Sequence, residues 1–512
     1  MRITNKIMQN NALYNINNNK VLQDKLNTQM TTRKKIIKPS DDPVIAIRAL
    51  RLRSNLDQVS QYSERNIPDA EHWLELTESA VATTVDLVRD MITQFQTGSK
   101  SSFKTSDREI LLQSLKQLRD EVYDTGDADY AGRTIFTGYR TDTKLAFATD
   151  TEQTYRITEQ LTNVDTDTIT YLDYGDVGIM NETNFNDPTM TTQQEVETYQ
   201  VNRIRLAYDD LDPANPPTIQ QTIAYDDNGN PIYASLGTVQ TISVNDPNTD
   251  PYRVVADPSY AGYDANAIVF VPETGELLLG QNAYNAVKAL AVNTEIVVSY
   301  DKTQWKEGDL RPEHYFACES EGLSYNPQYL TRLGRNEKQV IAYDVGFNQD
   351  LQVNTTADEV YKHGIGREVD EMIRLLEQLE EVDLAVSKIE ALEGNANYDA
   401  DAVATALATA EKAQTYMRDL LQKRFERGIT TMQKHFDNVN AAYTQIGNRS
   451  LRLELVGNRL DNQMSSFETL VSKNEDADLE ELAVQLSSSK LTYDAALAAT
   501  GKLLQTTLMN YI

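Results

Sequence analysis

The sequence predicts a multidomain α+β protein, with an antiparallel helical bundle or coiled coil formed by both chain ends and a β-rich middle domain inserted between them. Three observations support this fold class. Every seventh residue from Phe425 to Phe467 is apolar, which is typical of a coiled-coil seam. Eleven of the 14 prolines lie in residues 188–327 and none follows Pro327, so a broken middle separates two helix-compatible ends. The third observation is that apolar residues in the C-terminal tail, residues 482–508, repeat every eleven positions.

The first predicted element is a helix over residues 3–35, with a loosely periodic apolar face and many asparagines of low helix propensity. A loop with Pro39 and Pro43 follows. Ser40 to Asp42 offer side-chain oxygens that can cap the next helix, and Pro43 suits its first turn. We therefore expect a second helix to begin at Pro43.

A heptad pattern then extends from Ala49 to Leu87 and predicts a long amphipathic helix. Pro68 interrupts this pattern, and an interior proline costs roughly 3 kcal/mol in a continuous helix. The sequence therefore predicts a kink or a restart at Pro68, with Asn66 as the cap. A further amphipathic helix is predicted from Ser106 to Gly126.

The middle of the chain is predicted to be β structure, because it is rich in Thr, Asp and Tyr with alternating apolar positions. Residues 130–138 form a short glycine-bounded strand or hairpin. Two more hairpins are predicted, one over residues 223–232 with a type I′ turn at Asn228-Gly229, and one over residues 268–279 around Thr274-Gly275. Residues 295–300 add a strand.

Helix is predicted to return near Asp358, and then over residues 367–392 and 400–470 with a turn at Gly394. The seam in the last of these helices comprises Phe425, Met432, Val439, Ile446, Leu453, Leu460 and Phe467. In the tail, two rows have a hendecad spacing, Leu482/Tyr493/Leu504 and Leu486/Leu497/Leu508. An apolar stripe carried so far along a terminal helix predicts a docking partner, although an ordinary helix that covers the chain's own core would show the same stripe.

The charge of the chain argues against nucleic-acid binding and against anionic membranes, because 48 basic and 77 acidic residues give a net charge of −29. The charge is unevenly placed. Residues 145–340 carry 11 basic and 30 acidic groups, whereas residues 1–38 carry 8 basic and 1 acidic. We expect the basic N-terminal arm to complement the C-terminal residues 470–512, which hold 3 basic and 6 acidic groups.

Catalytic, cofactor and metal sites are not predicted. Cys318 is the only cysteine, so neither an intrachain disulfide nor a cysteine-based metal cluster can form. His314 lies four residues before it, but two ligands alone are a weak metal signal. The four histidines lie in no HExxH setting. Residues 226–230 resemble a calcium loop with a misplaced glycine, and a hairpin turn is the better interpretation. The first residues have no Sec-type leader pattern, and no run is long enough to span a membrane.

Motifs at both ends carry a resemblance to a known family. In the N-terminal half they are MRITNKIMQNNALYNINNN at the start, KPSDDPVIAIRALRLRSNLDQ from Lys38, SDREILLQSLKQLRDEV from Ser106 and GRTIFTG from Gly132. In the C-terminal half they are QVNTTADEVY from Gln352, IGNRSLRLELVGNRLD from Ile446 and the tail from Asp476. These stretches resemble the flagellins, and most of all the hook-associated proteins of the hook-filament junction. The DDP at Asp41, the IFTG at Ile135 and the MNYI ending favour that subgroup.

The resemblance implies a structural, non-enzymatic axial protein of the bacterial flagellum, secreted unfolded through the flagellar type III export apparatus. It also implies assembly with neighbouring copies of itself, a hook-side junction protein and flagellin, and capture of the C-terminal segment by an export chaperone. The predicted assembly interface comprises the apolar residues of both ends: Ile3, Ile7, Leu13, Ile16, Leu22, Leu26, Leu482, Leu486, Tyr493, Leu497, Leu504 and Leu508.

The domain division that follows has three parts. Residues 1–36 with 470–512 form a terminal coiled-coil domain for assembly, and residues 37–145 with 340–469 form a helical bundle domain. Residues 146–339 form a β-rich variable insertion with room for two subdomains. Two alternative functions stay open at this point: filament flagellin itself, or a surface adhesin or glycan-binding protein that acts through the insertion.

Overall fold

The computed structural model describes residues 5–100, 105–188, 190, 195–246, 249–291, 294–331 and 339–509, and for residues 5, 105 and 503–509 it describes the backbone alone. The α-helices are α1 (Asn5–Thr32), α2 (Pro43–Gln61), α3 (Ile67–Gly98), α4 (Thr105–Thr125), α5 (Pro251–Ala256), α6 (Gln281–Lys288), α7 (Ala357–Val360), α8 (His363–Glu390), α9 (Ala400–Glu475) and α10 (Leu479–Met509). A π-helical turn, Tyr62–Asn66, joins α2 to α3.

Strands occupy the middle of the chain and two short hairpins beside it. They are β1 (Asp129–Tyr130), β2 (Arg133–Thr134), β3 (Thr151–Leu161), β4 (Thr166–Asp173), β5 (Glu197–Arg205), β6 (Thr218–Tyr225), β7 (Pro231–Ser235), β8 (Val239–Thr241), β9 (Ile268–Val271), β10 (Glu276–Leu279), β11 (Ile296–Trp305), β12 (Ala317–Ser320), β13 (Leu323–Tyr325), β14 (Ala342–Gly346) and β15 (Gln349–Gln352). Helices at both ends therefore flank a β-rich middle, and the predicted fold class is confirmed.

The chain divides into two compact units. The first comprises the residues up to 71, residues 343–351 and the residues from 451 onward. The second comprises residues 72–342 and 352–450. The three-domain division expected from the sequence stays a prediction.

In the first unit, the start of α2 follows the predicted capping pattern. The Asp42 carboxylate accepts hydrogen bonds from the backbone N–H groups of Val44 (3.0 Å) and Ile45 (3.1 Å), and Pro43 occupies the first turn. These bonds satisfy donors that a helix N-terminus otherwise leaves without partners. The sequence therefore fixes the start of this helix.

Pro68 is accommodated by the π-helical turn rather than by a break in the helix. The Ile67 N–H bonds to the Tyr62 carbonyl, one residue farther back than in an α-helix. This wider turn relieves the clash that the proline ring would otherwise make with the preceding turn. The predicted cap was wrong, because Asn66 is itself helical and its side-chain amide donates to the Asp344 carbonyl at 2.7 Å.

In the second unit, α3 and α9 approach closely through two glycines. The rings of Phe95 and Phe425 meet edge to face, with centroids 5.8 Å apart. A Cβ atom at Gly98 would lie 2.4 Å from the Phe425 ring, and one at Gly428 would lie 2.3 Å from the Phe95 ring. Each phenylalanine thus occupies the space left by a glycine on the opposite helix. Along α9, the first six residues of the predicted seam are buried and the seventh, Phe467, is partly buried.

The β structure of the second unit forms two main sheets. One has the strand order β13-β12-β3-β11-β6-β7, and its neighbouring strands are all antiparallel. The other has the order β4-β5-β10-β9-β8, in which only the β8–β9 pair is parallel. A shared core of buried side chains from both sheets includes Tyr155, Phe270 and Trp305.

The predicted hairpins are confirmed, with one turn type wrong. β9 and β10 are joined at Gly275 (φ 61°), and a Cβ atom there would lie 1.9 Å from the Tyr208 carbonyl oxygen. β6 and β7 are joined by the five residues 226–230, in which only Gly229 has a positive φ (82°). A type I′ turn needs a positive φ at both central residues, so Asn228 does not form one. The turn over residues 130–133 does meet this requirement, because φ is 52° at Ala131 and 78° at Gly132.

A buried ion-pair network, which we call the arginine–glutamate network, joins the five-stranded sheet to α8 and α9. Arg203 of β5 pairs with Glu276 of β10 and with Glu371 of α8, at 2.8 Å from the latter. Arg205 pairs with Glu371 at 2.7 Å, and Arg424 of α9 also binds this carboxylate. Burial raises the pKa of Glu371, but the guanidinium groups of Arg203, Arg424 and Arg205 outweigh burial and hold this pKa well below its ordinary value.

Candidate assembly site

The two terminal helices, α1 and α10, pack against each other as a pair in the first unit. The residues shielded on each helix recur at alternating spacings of three and four. They are Ala12, Ile16, Asn19, Gln23 and Leu26 on α1, and Leu482, Leu486, Ser489, Tyr493, Ala496 and Thr500 on α10. This is a heptad pattern. The hendecad geometry expected for the tail was wrong for the described side chains, since Leu497 is exposed while Ser489 and Ala496 face inward.

Large apolar side chains are sparse between the two helices. Leu26 and Leu482 are the buried ones, and Ile16, Leu486 and Tyr493 are half-buried. The remaining inward positions hold small or polar residues. This is little apolar packing for helices of 28 and 31 residues.

A second apolar row lies on the opposite side of each terminal helix. On α1, Ile7, Tyr14 and Val21 are exposed to 48%, 66% and 69%, and on α10, Val484 and Leu491 are exposed to 68% and 73%. At 100° per residue, both rows point about 180° away from the face that the two helices share. Residues seven apart lie on the same side of a helix, so the three residues on α1 share one direction and the two residues on α10 share another. The pair therefore carries apolar surface on two faces, and each helix covers only one face of the other.

The end of α1 and the start of α10 are held together by a backbone bridge. The Lys35 N–H donates to the Glu475 carbonyl (2.7 Å), and the Ala477 N–H donates to the Arg33 carbonyl (2.9 Å). Arg33 adopts a positive φ of 56° to leave the helix. We call this region, residues 33–36 with 473–478, the junction.

An acidic side chain at the junction is buried and bound by two cations. The Glu475 carboxylate accepts a hydrogen bond from Arg53 of α2, and Lys34 lies 3.5 Å from it. The Arg53 hydrogen bond is the main reason why the pKa of Glu475 is lowered. Lys34 also binds Asp476 at 2.5 Å, and the Asn474 amide donates to the Ile45 carbonyl at 3.2 Å. The start of α2 is therefore tied to the same junction as α1 and α10.

The predicted interface residues fall into three groups. Ile7, Leu13, Leu22 and Leu497 are exposed; Ile16, Leu486 and Tyr493 are half-buried; Leu26 and Leu482 are buried between the helices. Ile3, Leu504 and Leu508 have side chains outside the described residues. Their role in an interface between molecules stays a prediction.

Sequence reasoning missed the outward rows. Tyr14, Val21, Val484 and Leu491 were not among the predicted interface residues, although Ile7/Tyr14/Val21 and Val484/Leu491 share the seven-residue spacing that marked the long seam. A search for a second heptad register, offset from the first, would have found them.

The residues considered for catalysis or metal binding have other partners. Nε2 of His314 lies 3.0 Å from the Lys144 carbonyl oxygen, and burial lowers the pKa of this imidazole. Burial also raises the pKa of the Cys318 thiol. The Asp226 carboxylate accepts the N–H groups of Asn228 and Asn230, as in a turn. Within the described residues, no group of three His, Cys, Asp or Glu side chains could hold a metal ion.

A polar cleft of about 620 Å³ lies beside the N-terminus of α8 in the second unit. Its cations bind carboxylates nearby: Arg119 pairs with Asp370 at 2.5 Å, and Arg367 pairs with Asp209 at 2.8 Å.

Among the helices that the structure describes, none is long and apolar enough to cross a membrane.

Comparison with known proteins is informative for the N-terminal region. Residues 3–141 match the family model described as the bacterial flagellin N-terminal helical region. Flagellar hook-associated protein 3 of Escherichia coli is 29% identical over 144 residues, and that of Salmonella typhimurium is 32% identical over 145 residues. Each match covers 28% of this chain and 45% of the relative, so the chain spans about half the length of these proteins.

A solved structure, the flagellar junction protein FlgL from Legionella pneumophila, matches 84% of this chain and 99% of its own chain. The TM-score is 0.30 and the identity is 11%. Over residues 3–141 the chain is therefore similar to the N-terminal helical region of bacterial flagellin, and over about 145 residues it is similar to flagellar hook-associated protein 3.

Proposed function

We propose that this chain is a structural adapter of the bacterial flagellum, placed at the hook-filament junction and assembled through its terminal helices. The proposal joins two lines of support. The relatives are named hook-associated proteins, and the terminal helices carry exposed apolar rows that one molecule cannot cover. Its partners are neighbouring copies, a hook-side junction protein and flagellin. Its location is the extracellular flagellum, and its role is structural rather than enzymatic.

The outward rows are the observation that carries the proposal. Val484 and Leu491 on α10, like Ile7, Tyr14 and Val21 on α1, are exposed apolar side chains on a regular stripe. Burial of each against a neighbour is worth roughly 1.5–3 kcal/mol. In an axial polymer, neighbours on several sides would cover both faces of the pair. The same stripe on α10 suits capture by an export chaperone before assembly, because it would otherwise lie exposed in the cytoplasm.

The test is a double variant of the outward row of α10, Val484→Ser with Leu491→Ser, expressed in place of the native protein. Because both side chains are exposed, we expect circular dichroism to show an unchanged fold. We expect filament assembly and motility to be lost. The matched control is Leu323→Ser with Leu384→Ser, two exposed leucines of the second unit, which should leave motility unchanged.

Filament growth at the wild-type level in the Val484→Ser/Leu491→Ser strain would contradict the proposal. A second assay separates the adapter from filament flagellin, whose N-terminal family model also matches this chain. Purified chain added to flagellar seeds should stop after a short segment. Growth of long filaments would favour flagellin instead.

A further inference from the structure

A second exposed ridge, at the start of α2, combines apolar and basic side chains. Val44, Ile47 and Leu50 are 55% to 66% exposed, and Arg48 and Arg51 lie exposed among them. Ala46 and Ala49, which are buried, lie on the other side of this part of the helix. Neither arginine forms an ion pair with a described residue of its own chain, in contrast to Arg53, which binds Glu475. We call Val44, Ile47, Arg48, Leu50 and Arg51 the basic ridge.

The outer face of α10 has the complementary composition. Val484 and Leu491 are flanked there by two exposed carboxylates, Glu480 and Glu481. Glu481 accepts a hydrogen bond from Gln485 on its own helix, and neither carboxylate has a cationic partner among the described residues. We call Glu480, Glu481, Val484 and Leu491 the acidic face. It offers apolar contacts and negative charge, whereas the basic ridge offers apolar contacts and positive charge.

Both surfaces lie close to the junction, and the acidic face is the longer of the two. At 1.5 Å per residue, residues 44–51 span about 11 Å and residues 480–491 about 17 Å. Both begin within two helical turns of the junction, because Asn474 is bonded to Ile45 and α10 starts directly after Asp476. Each surface is exposed within its own chain, so another molecule must cover it if it is to be buried.

The outward row of α1 is a poorer partner for the acidic face. Ile7, Tyr14 and Val21 are flanked by the exposed Asn10 and Asn17, and one exposed lysine lies near each end of the row, Lys6 and Lys25. These two lysines lie about 28 Å apart along the helix, so one of them at most can face the adjacent Glu480 and Glu481. Contact there would bury the other carboxylate without a compensating cation, which is unfavourable. The two arginines of the basic ridge supply that compensation.

From this complementarity we propose that the basic ridge of one copy docks on the acidic face of α10 in a neighbouring copy. This inference rests on the proposed assembly function and names a pair of surfaces for it. The interface is heterologous, since one copy contributes α2 and the other contributes α10. Such contacts repeat from subunit to subunit until the array closes.

The first test is charge reversal, with self-association of the full chain measured by sedimentation velocity. We expect Arg48→Glu with Arg51→Glu to lower the apparent association constant about tenfold or more, because like charges would face each other across the contact. Glu480→Lys with Glu481→Lys should do the same, and the fourfold variant should recover most of the loss. Lys388→Glu with Lys412→Glu, an equal charge change at exposed lysines of the second unit, is the control and should have no effect.

The second test is disulfide trapping, for which the buried Cys318 is replaced by Ser. Chains with Ile47→Cys and chains with Val484→Cys, mixed and oxidised, should form a cross-linked dimer. Ile47→Cys mixed with Leu323→Cys should not.

The outcomes separate the two proposals. If the wild-type chain assembles and the charge-reversed chains assemble equally well, or if reversal is not rescued in the fourfold variant, the docking inference is wrong and the assembly function stands. If the Val484→Ser/Leu491→Ser strain assembles normally, the proposed function itself fails and the docking inference fails with it.

Discussion

Replacement of Glu371 by Gln is expected to destabilise the second unit by about 3–5 kcal/mol. The Glu371 side chain is 9% exposed, and its carboxylate binds Arg203, Arg205 and Arg424. A glutamine retains the shape but removes the charge that these three guanidinium groups share. Arginine cannot lose its proton in a protein, so two buried cations and the partly buried Arg205 would lose a common anion.

The structure supports the upper part of this range. Arg203 and Arg424 are 1% and 7% exposed, so water cannot replace the missing carboxylate at either. Arg203 keeps Glu276, and Arg205 keeps Glu368 at 2.5 Å, which limits the loss. The control is Glu377→Gln, an exposed site on the same helix, where we expect a change within about 0.5 kcal/mol.

The pH dependence gives an independent check. Because the pKa of Glu371 is lowered in the folded state, its contribution to stability is fully present above its unfolded pKa, about 4.5, and is lost as the pH falls. The difference between wild type and Glu371→Gln, measured by urea unfolding with far-ultraviolet circular dichroism, should therefore be constant above pH 5 and should narrow below it. A difference from the Glu377→Gln control of less than about 1 kcal/mol at pH 7 would refute the reasoning.

Three further changes probe single features. Gly275→Ala should destabilise the chain by at least about 2 kcal/mol in urea unfolding, since the new Cβ meets the Tyr208 carbonyl at a positive φ. Asp42→Ala should cost about 1 kcal/mol and speed hydrogen exchange in the first turn of α2, because two amide donors lose their cap. Burial raises the pKa of Glu159 to about 7, although the hydrogen bonds from Tyr300 and from the Ala207 N–H act in the opposite direction. The ionised form therefore destabilises the fold as the pH rises through about 7. The stability of Glu159→Gln relative to wild type should therefore increase by up to about 3 kcal/mol between pH 4.5 and 8.

Each of these has an outcome that would count against it. Unchanged stability of Gly275→Ala would mean that the turn can rearrange. Exchange in α2 that is unaffected by Asp42→Ala would show that other groups cap the helix. If the stability difference between Glu159→Gln and wild type is independent of pH, the Glu159 carboxyl does not titrate between pH 4.5 and 8.

Local sequence rules predicted the helix starts and the hairpins, because the residues that decide them are neighbours in the chain. Asp42-Pro43 fixed the start of α2, and Gly275 marked the turn between β9 and β10. The rule for Asn228-Gly229 gave the hairpin but not its turn, since Asp226 caps the loop and makes it longer. Pairing between distant strands, such as β3 with β11, and the arginine–glutamate network depend on contacts that no local pattern encodes.

At the candidate assembly site, too, the local sequence pattern does not determine which contacts form. A row of apolar residues on a helix predicts that something covers it, but not whether that is the chain itself or another molecule. In α10 the hendecad rows mixed the two cases, because Leu482 faces α1 whereas Leu497 is exposed. Whether an apolar residue faces the chain itself or another molecule can be told only when the position of the partner helix is known. The residues on the side opposite to the shared face can then be identified.

A pair of helices can bury one stripe on each member, so a second stripe at the same spacing has no use in a molecule that works alone. It costs solubility, since exposed apolar rows favour aggregation. The first unit nevertheless carries such stripes at Ile7 to Val21 and at Val484 to Leu491, and a third apolar surface on the basic ridge of α2. This loss of solubility is offset if the molecule functions in contact with copies of itself and with other axial proteins. Surfaces that are poorly suited to a monomer are therefore the ones that the proposed adapter function requires.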